Sequence, residues 1–335
     1  MRPAFTEVEV AALLTTHYGF TGKIKTLPSY SDQNFLVDTA DARFVLKISN
    51  SDEPFPVLDF QQQALQHLGI KAPALALPHV IPSQNGALLT EVAAPRNNTH
   101  HLVWMVSFLS GQFISDLQSH PPPLLHNLGI FMGTLDKALA GFVHPGMHRT
   151  LQWDLKHAPN LTEKLPHIKD SGKRRLVEHF LRRFDEHVVP VSGALRQSVI
   201  HNDANDNNVL VDTRNNTAIG GIIDFGDMVY TYTVCEIAIA IAYMILGKEQ
   251  PLETAMPILR GYQSVYPLTE QELAVLYDMV SIRLCTSVCM SARERSLAPD
   301  NAYLAVSEQP AWHALEALQH LSVAQTTATF QTVLT

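Results

Sequence analysis

A chain of 335 residues has room for about two domains or one two-lobed unit, at roughly 150 residues per domain. Its hydrophobic content of 46% and charged fraction of 17% exclude a disordered or coiled-coil chain. A net charge of −8 excludes the basic footprint of a general nucleic-acid binder.

The three cysteines, Cys235, Cys285 and Cys289, are few and odd in number, so a reducing compartment fits better than a disulfide framework. The N-terminus has no apolar run of the signal-peptide kind. The most apolar stretch, 234–246, is too short for a bilayer and carries Glu236. The expectation is a cytoplasmic globular protein with neither a membrane nor a nucleic-acid partner.

In chain order, Thr6 and Glu9 have capping-box spacing before an apolar pattern that runs to about His17. Short strands are predicted at 23–27, 34–38 and 43–49, with Thr39 to Ala42 as a hairpin turn. A helix is predicted at 57–68 and further strands at 87–92 and 101–106. Beyond 107–111 the pattern turns helical, at about 123–140, 172–187, 233–247, 252–265, 270–294 and 301–320. Thr269 and Glu272 form a second capping box. Short strands at 199–200, 209–211 and 219–223 interrupt the helices. The predicted fold is α+β and bilobal. A β-rich N-lobe spans 1–106, a hinge 107–111, and a larger helical C-lobe 112–335.

The strongest local signal is His201-Asn202-Asp203-Ala204-Asn205-Asp206-Asn207-Asn208 before an apolar strand. The second is Asp224-Phe225-Gly226-Asp227 after one. Either alone could be an Asx-rich turn. As a pair, HxDxxxxN followed by DFG is the base and metal arrangement of kinase-type phosphoryl transfer. One Asp orients the acceptor hydroxyl, and an Asn and an Asp hold Mg²⁺ through hard oxygen donors. Upstream, Lys47 interrupts the apolar strand Phe44-Val45-Leu46-Lys47-Ile48 and is the expected contact to the α and β phosphates.

With these motifs the chain resembles the aminoglycoside-phosphotransferase and choline-kinase-like family, which shares the protein-kinase-like fold, and within it the hydroxylysine-kinase branch. The further segments that carry the resemblance are 27–35, 45–50, 135–139, 144–149 and 153–156. It implies Asp203 as catalytic Asp, His201 as the brace of its loop, and Asn208 and Asp224 as Mg²⁺ ligands. It implies Lys47 as phosphate contact, with Asp59 or Glu53 as acidic partner and Asp59 in the better register. The phosphate-covering loop from Ser29 to Asn34 lacks glycine, so Ser31, Gln33 and Asn34 are expected to donate from side chains. Asn202 stands where the family has glycine. The nucleotide is GTP or ATP, bound near a hinge that includes Phe108.

Asp227 is read either as a ligand of a second Mg²⁺ or of a substrate ammonium, or as a helix cap. Glu236 is read as structural. An acidic protein favours a cationic acceptor, and 5-hydroxylysine has the right sign. Its carboxylate would take Arg149 or Arg283, and its ammonium Trp153 with Asp154; a buried ion pair at Arg283 and core packing at Trp153 are the alternatives. Other readings are a kinase for homoserine, ethanolamine, choline or an aminoglycoside, and a nucleotide-binding pseudokinase. Ser171-Gly172-Lys173 is not a P-loop, and the basic residues 173–175 and 182–183 are expected on a solvated face. His100, His101, His144 and His148 suggest a metal only weakly, and all three thiols are expected in the core.

Overall fold

The computed structural model describes residues 1–29, 31–297 and 308–334. Tyr30 in the predicted phosphate loop and the first seven residues of the predicted helix 301–320 lie outside them. The chain forms two units. The first holds Met1–Ser110 with Val143–Met147 and Gly221–Gly226; the second holds Gly111–Phe142, His148–Gly220 and Asp227–Thr335.

The first unit begins with α1 (Glu7–Leu13), capped by the predicted Thr6–Glu9 box. It continues through β1 (Lys23–Leu27), β2 (Gln33–Asp38) and β3 (Arg43–Ile48) to α2 (Phe55–Lys71). Then come β4 (Val80–Ile81), β5 (Thr90–Ala93) and β6 (His100–Ser107). The strands form one antiparallel sheet in the order β1-β2-β3-β6-β4, with β5 also on β6. Thr39 closes the β2–β3 turn, its backbone N–H and its hydroxyl both donating to the Ala42 carbonyl, at 2.9 and 2.7 Å.

Strand alternation decides what each face carries. Phe35 and Val37 on β2, Leu46 and Ile48 on β3, and Val103 and Met105 on β6 point one way. With Phe5, Val10, Leu14 and Tyr18 from the N-terminal segment they form the core cluster. Burying each such aliphatic or aromatic side chain stabilises by about 1.5–3 kcal/mol. The opposite face carries the cross-strand row Asn34, Lys47 and Trp104, which the register places side by side.

The second unit contains β7 (Gln112–Phe113), α3 (Pro122–Leu139), a kinked 3₁₀ segment (Leu155–His167), α4 (Ser171–Arg183) and β8 (Gln197–Ile200). There follow β9 (Val209–Asp212), β10 (Asn215–Ile222), whose end passes into the first unit, and β11 (Val229–Tyr232). The remaining helices are α5 (Val234–Met244), α6 (Pro251–Gln263), α7 (Glu270–Leu297), α8 (Glu308–Gln319) and α9 (Val323–Gln331). α7 is long and apolar enough to cross a membrane, yet 83% of its most apolar window is buried. It is the central core helix, packed by α4, α5, α8, α9 and the 3₁₀ segment.

Several sequence expectations change. The 3₁₀ segment, α9 and the strands β4, β7 and β11 carry no long periodic signal and were not foreseen. Arg183 is not solvated: it donates to Asp278 at 2.9 Å. Lys173 lies 5.0 Å over the Trp312 ring. All three cysteines are buried free thiols. Burial pushes Cys235 and Cys285 well up, and Cys289 up to about 12.

Candidate active site

In the first unit, Lys47 projects from the polar face of β3. Its Nζ lies 5.0 Å above the Trp104 ring and 3.8 Å from Asp224 Oδ1. Asp224 has φ 64°, a left-handed conformation uncommon outside glycine. The turn is held by the Gly226 N–H donating to Asp224 Oδ1 at 3.3 Å. Just before it, Gly221 has φ 139°, and a Cβ there would stand 2.5 Å from the Ala76 carbonyl oxygen, so only glycine lets this segment pass. Asp224 is 57% exposed, and its Oδ2 has no protein partner among the described residues.

The predicted pairing of Lys47 with Asp59 is not made. Asp59 Oδ2 lies 3.0 Å from His144 Nε2, and the His144 ring stacks on Phe60 at 5.5 Å. Gly146 permits this docking, since a Cβ there would meet the Pro56 carbonyl oxygen at 2.3 Å. Asp59 therefore ties α2 to Val143–Met147, and the carboxylate beside Lys47 is Asp224. Glu53, the other partner considered, precedes α2 in a turn closed by its N–H on Asn50 O at 3.1 Å.

The other predicted nucleotide contacts divide. Both polar atoms of the Gln33 amide are spent on the Phe5 backbone at 2.8 Å, so it is not the side-chain donor expected. The Ser31 hydroxyl donates to Asp32 at 3.3 Å. Asn34 shares the Lys47 face, and its Oδ1 is buried without a hydrogen bond among the described residues. Phe108 donates its backbone N–H to Arg43 O at 3.0 Å, and the Arg43 guanidinium covers its ring.

In the second unit, Ile200 of β8 pairs with Val229 of β11. The chain leaving β8 towards Asp203 and the chain entering β11 from Asp227 thus share one end of a ladder. His201 is fully buried, and its Nδ1 accepts the Asp203 N–H at 3.3 Å. Asn202 has φ 66°, which explains why this position suits glycine or a residue tolerant of that region. Asp203 is held at both oxygens: Arg283 donates to Oδ1 at 2.8 Å, and Asn205 and Asn208 donate to Oδ2 at 2.9 and 2.7 Å. Its side chain remains 18% exposed. Ser115 secures the far side of the loop, on Asp206 O at 3.0 Å and Asn207 Oδ1 at 3.1 Å.

Glu236, on the first turn of α5, is fully buried and accepts the backbone N–H groups of Asn202, at 3.1 Å, and His201. Burial raises its carboxyl to about 7, partly opposed by those hydrogen bonds. It is structural, as expected.

The predicted acceptor contacts change most. Arg283 is 1% exposed, with its guanidinium 4.7 Å from the Trp153 ring and 5.2 Å from the Tyr243 ring. Burial works against its charge, but Tyr243, Asp203 and Asp227 outweigh it and hold its pKa above the ordinary value. It forms the buried ion pair with Asp203 and is closed to a substrate carboxylate. Asp154 is closed too. It has no side-chain exposure, caps the 3₁₀ segment through the Lys156 N–H at 3.0 Å, and accepts from Thr231 at 2.6 Å. Arg149 is half-buried. Asp227 ends a short 3₁₀ turn well before α5, whose N-cap is Thr233, so it is not that helix's cap.

No group of three or more His, Cys, Asp or Glu side chains placed to hold a metal occurs among the described residues. The Asn208 amide nitrogen is committed to Asp203 O and Oδ2, which leaves its carbonyl oxygen as an acceptor. Such an oxygen and, in the first unit by itself, the open Asp224 carboxylate are each of the hard donor type that a divalent cation takes.

Residues 23–274 match the phosphotransferase enzyme family, APH. The chain belongs to that family. It is 34% identical to the hydroxylysine kinase of Mus musculus over 95% of this chain and 90% of the relative, and 31% identical to that of Bos taurus over 94% and 89%. An amicoumacin kinase solved in complex with AMP-PNP, Ca²⁺ and Ami superposes with a TM-score of 0.72 at 14% identity, over 96% of this chain and 97% of that one. The fold is that of kinase-like phosphotransferases, with a β-sheet N-terminal region and a mostly helical C-terminal part.

Sequence reasoning missed three side chains that stand beside the candidate residues within their own units. Trp104 lies one strand from Lys47 by register, and a strand pairing is not visible in a single sequence. Tyr243 reaches Arg283 across two helices, which only the packing reveals. Asn205 sat inside the recognised motif without a role. Its N–H bond to Asp203 O, at 2.7 Å, and its side-chain bond to Asp203 are what a D-x-N turn provides.

Proposed function

We propose that this phosphotransferase is a small-molecule kinase that moves the γ-phosphoryl of GTP or ATP to the hydroxyl of 5-hydroxylysine, with Mg²⁺ as cofactor. The observation that carries the reading is Asp203, a carboxylate fixed at both oxygens yet open on one side. The choice of acceptor is supported by the names of the curated relatives and by an acidic chain that suits a substrate with two ammonium groups. Nucleotide donation is in keeping with the AMP-PNP held by the structural neighbour.

The roles divide by residue. Asp203 orients the acceptor hydroxyl and takes its proton as the oxygen attacks. His201 and Asn205 keep its loop in place. Lys47 contacts the α and β phosphates, with Trp104 under its ammonium group. Asp224 and Asn208 supply oxygen donors for Mg²⁺, and Asp227 is a further carboxylate for a second ion or a substrate ammonium. When bound, Mg²⁺ neutralises phosphate charge as the loose transition state forms. Positioning and charge neutralisation do most of the work in such transfers. The first unit corresponds to the nucleotide lobe and the second to the catalytic lobe, with a hinge at 107–111. A cytoplasmic location agrees with the three buried free thiols.

A transfer assay with ATP and GTP against hydroxylysine, lysine, ethanolamine, choline, homoserine and kanamycin tests this. Turnover with hydroxylysine and none with lysine, which lacks the hydroxyl, is expected. Preferred turnover of another acceptor would overturn the substrate, and nucleotide binding without transfer to any of them would overturn the kinase. Loss of the base in Asp203→Asn should cost about 10²–10⁴-fold in kcat.

A further inference from the structure

We propose that Arg283 is a positioning residue: its buried guanidinium, lying over the Trp153 and Tyr243 rings, locks the Asp203 carboxylate in the one orientation from which it can receive the acceptor's proton. This rests on the assignment of Asp203 as base. An Asp carboxylate turns about a broad terminal torsion, and a loop residue would sample that breadth. Here Arg283 Nη2 fixes Oδ1 at 2.8 Å, while Asn205 and Asn208 fix Oδ2. Three bonds from two directions define the plane of the group.

Arg283 is in turn immobilised. Tyr243 accepts from the same Nη2 at 3.1 Å through its hydroxyl, and the two rings stand 4.7 and 5.2 Å from the guanidinium carbon. The remaining donors, Nε and Nη1, are buried without hydrogen-bond partners among the described residues. A buried cation with unsatisfied N–H groups is expensive to maintain. If the residue served only stability, an apolar side chain of similar volume would do as well or better. Recognition of a substrate carboxylate needs an accessible guanidinium edge, and with 1% exposure Arg283 offers none. What it can reach is Asp203. A lysine could supply charge at that distance but not a planar, delocalised cation that lies over both rings and holds several donors in a fixed geometry.

The test is a double-mutant cycle of Arg283→Met with Asp203→Asn, alongside Tyr243→Phe and Arg283→Lys, read as kcat and as KM for each substrate. Arg283→Met in the wild-type background should lower kcat by about 10²-fold, the scale of a misplaced catalytic group, with both KM values within about twofold if ground-state binding is untouched. Introduced into Asp203→Asn it should lower kcat no further, because nothing remains to be positioned. Arg283→Lys should recover part of the loss. Multiplicative losses in the two backgrounds would overturn the proposal and leave a structural role. A raised acceptor KM with unchanged kcat would overturn it in favour of carboxylate binding.

If Arg283→Met does not fold, Tyr243→Phe carries the cycle. It removes one hydrogen bond and keeps the ring, and the same non-additivity is expected at a smaller loss. A wild-type chain that phosphorylates none of the acceptors refutes the kinase reading instead. Crystals of Tyr243→Phe and Arg283→Lys then decide this one: an Asp203 carboxylate turned away from Asn205 and Asn208 supports it, and an unmoved one overturns it.

Discussion

Replacing Gly261 with alanine puts the packing of the catalytic unit to a quantitative test. α3 and α6 cross where Gly129 and Gly261 face each other's backbones. A Cβ on Gly261 would lie 2.0 Å from the His126 carbonyl oxygen and 3.0 Å from the Ile130 nitrogen. Ordinary contact begins near 3.4 Å, so the helices would have to part by about 1.4 Å, and a gap of that size forfeits much of the dispersion along the seam. Both obstructing atoms are backbone, so no rotamer relieves them. Overpacking of this kind costs about 1–3 kcal/mol or more. The separation also strains the bond from the Tyr262 hydroxyl to Asp136 Oδ2, 2.5 Å long and fully buried. Asp136 is already pushed well up by burial and by the charge of Glu236. Against these losses alanine gains about 1 kcal/mol of helix propensity over glycine. The clash, with about 1–2 kcal/mol for the strained buried bond, outweighs that gain, and the net loss is about 1–4 kcal/mol. For a unit of this size that lowers Tm by roughly 3–15 °C. Gly69 on α2 is the control: nothing lies within 4 Å of its virtual Cβ, so Gly69→Ala should stabilise by about 0.5–1 kcal/mol. Urea and thermal unfolding of both variants measure the pair. A Gly261→Ala chain as stable as the wild type would refute the close crossing.

Glu236 sets a pH dependence. Its folded pKa, about 7, lies above its ordinary 4.5, so the native chain binds this proton more tightly and loses stability as pH rises from about 4.5 to 7. Glu236→Gln keeps the shape and an acceptor, and should flatten that slope, gaining more at pH 8 than at pH 5; equal effects at both would contradict the burial argument. Asp154→Ala should lower Tm by the equivalent of about 1–2 kcal/mol for a lost cap while acceptor KM stays constant. A raised KM at unchanged Tm would restore Asp154 to the acceptor site. Lys47→Met should weaken nucleotide binding about 10–100-fold, the value of a hydrogen bond to a charged group, with acceptor KM little altered; calorimetry showing unchanged nucleotide affinity would remove the lysine from that role.

What the sequence disclosed follows the range of the interactions involved. The hairpin at Thr39 to Ala42, both capping boxes and the alternation that separates Lys47 from Leu46 and Ile48 are local, and local chemistry is written in neighbouring residues. The Asp203 loop was readable because its bonds span only a few positions, from His201 to Asn208. The errors lie where partners are remote. Asp59 has a helix register compatible with Lys47, but His144, 85 positions away, takes its carboxylate. Asp154 precedes a segment with no helical signal, so its capping role was invisible and its charge looked available. The bounds 1–106 omitted Val143–Met147 and Gly221–Gly226 because short returning segments leave no periodic trace beyond a glycine at each point of contact.

The two cation–carboxylate pairs differ in a way that matches the work proposed for each. Lys47 and Asp224 stand 3.8 Å apart with the carboxylate 57% exposed. A pair of that kind is worth about 0–1 kcal/mol, so the partner exchange proposed for Lys47, onto a phosphate, and for Asp224, onto a cation, would cost little. Arg283 and Asp203 are joined at 2.8 Å with side-chain exposures of 2% and 18%. Separating a buried pair leaves a charge without compensation, at about 3–5 kcal/mol, so this pair resists opening. The loose pair suits groups that must exchange partners when the nucleotide arrives, and the tight pair suits a base that must not move when the acceptor does. Glycines that would otherwise bring backbone N–H groups to phosphate are absent from 29–34, so on the proposed reading the phosphate contact proposed for Lys47 carries more weight.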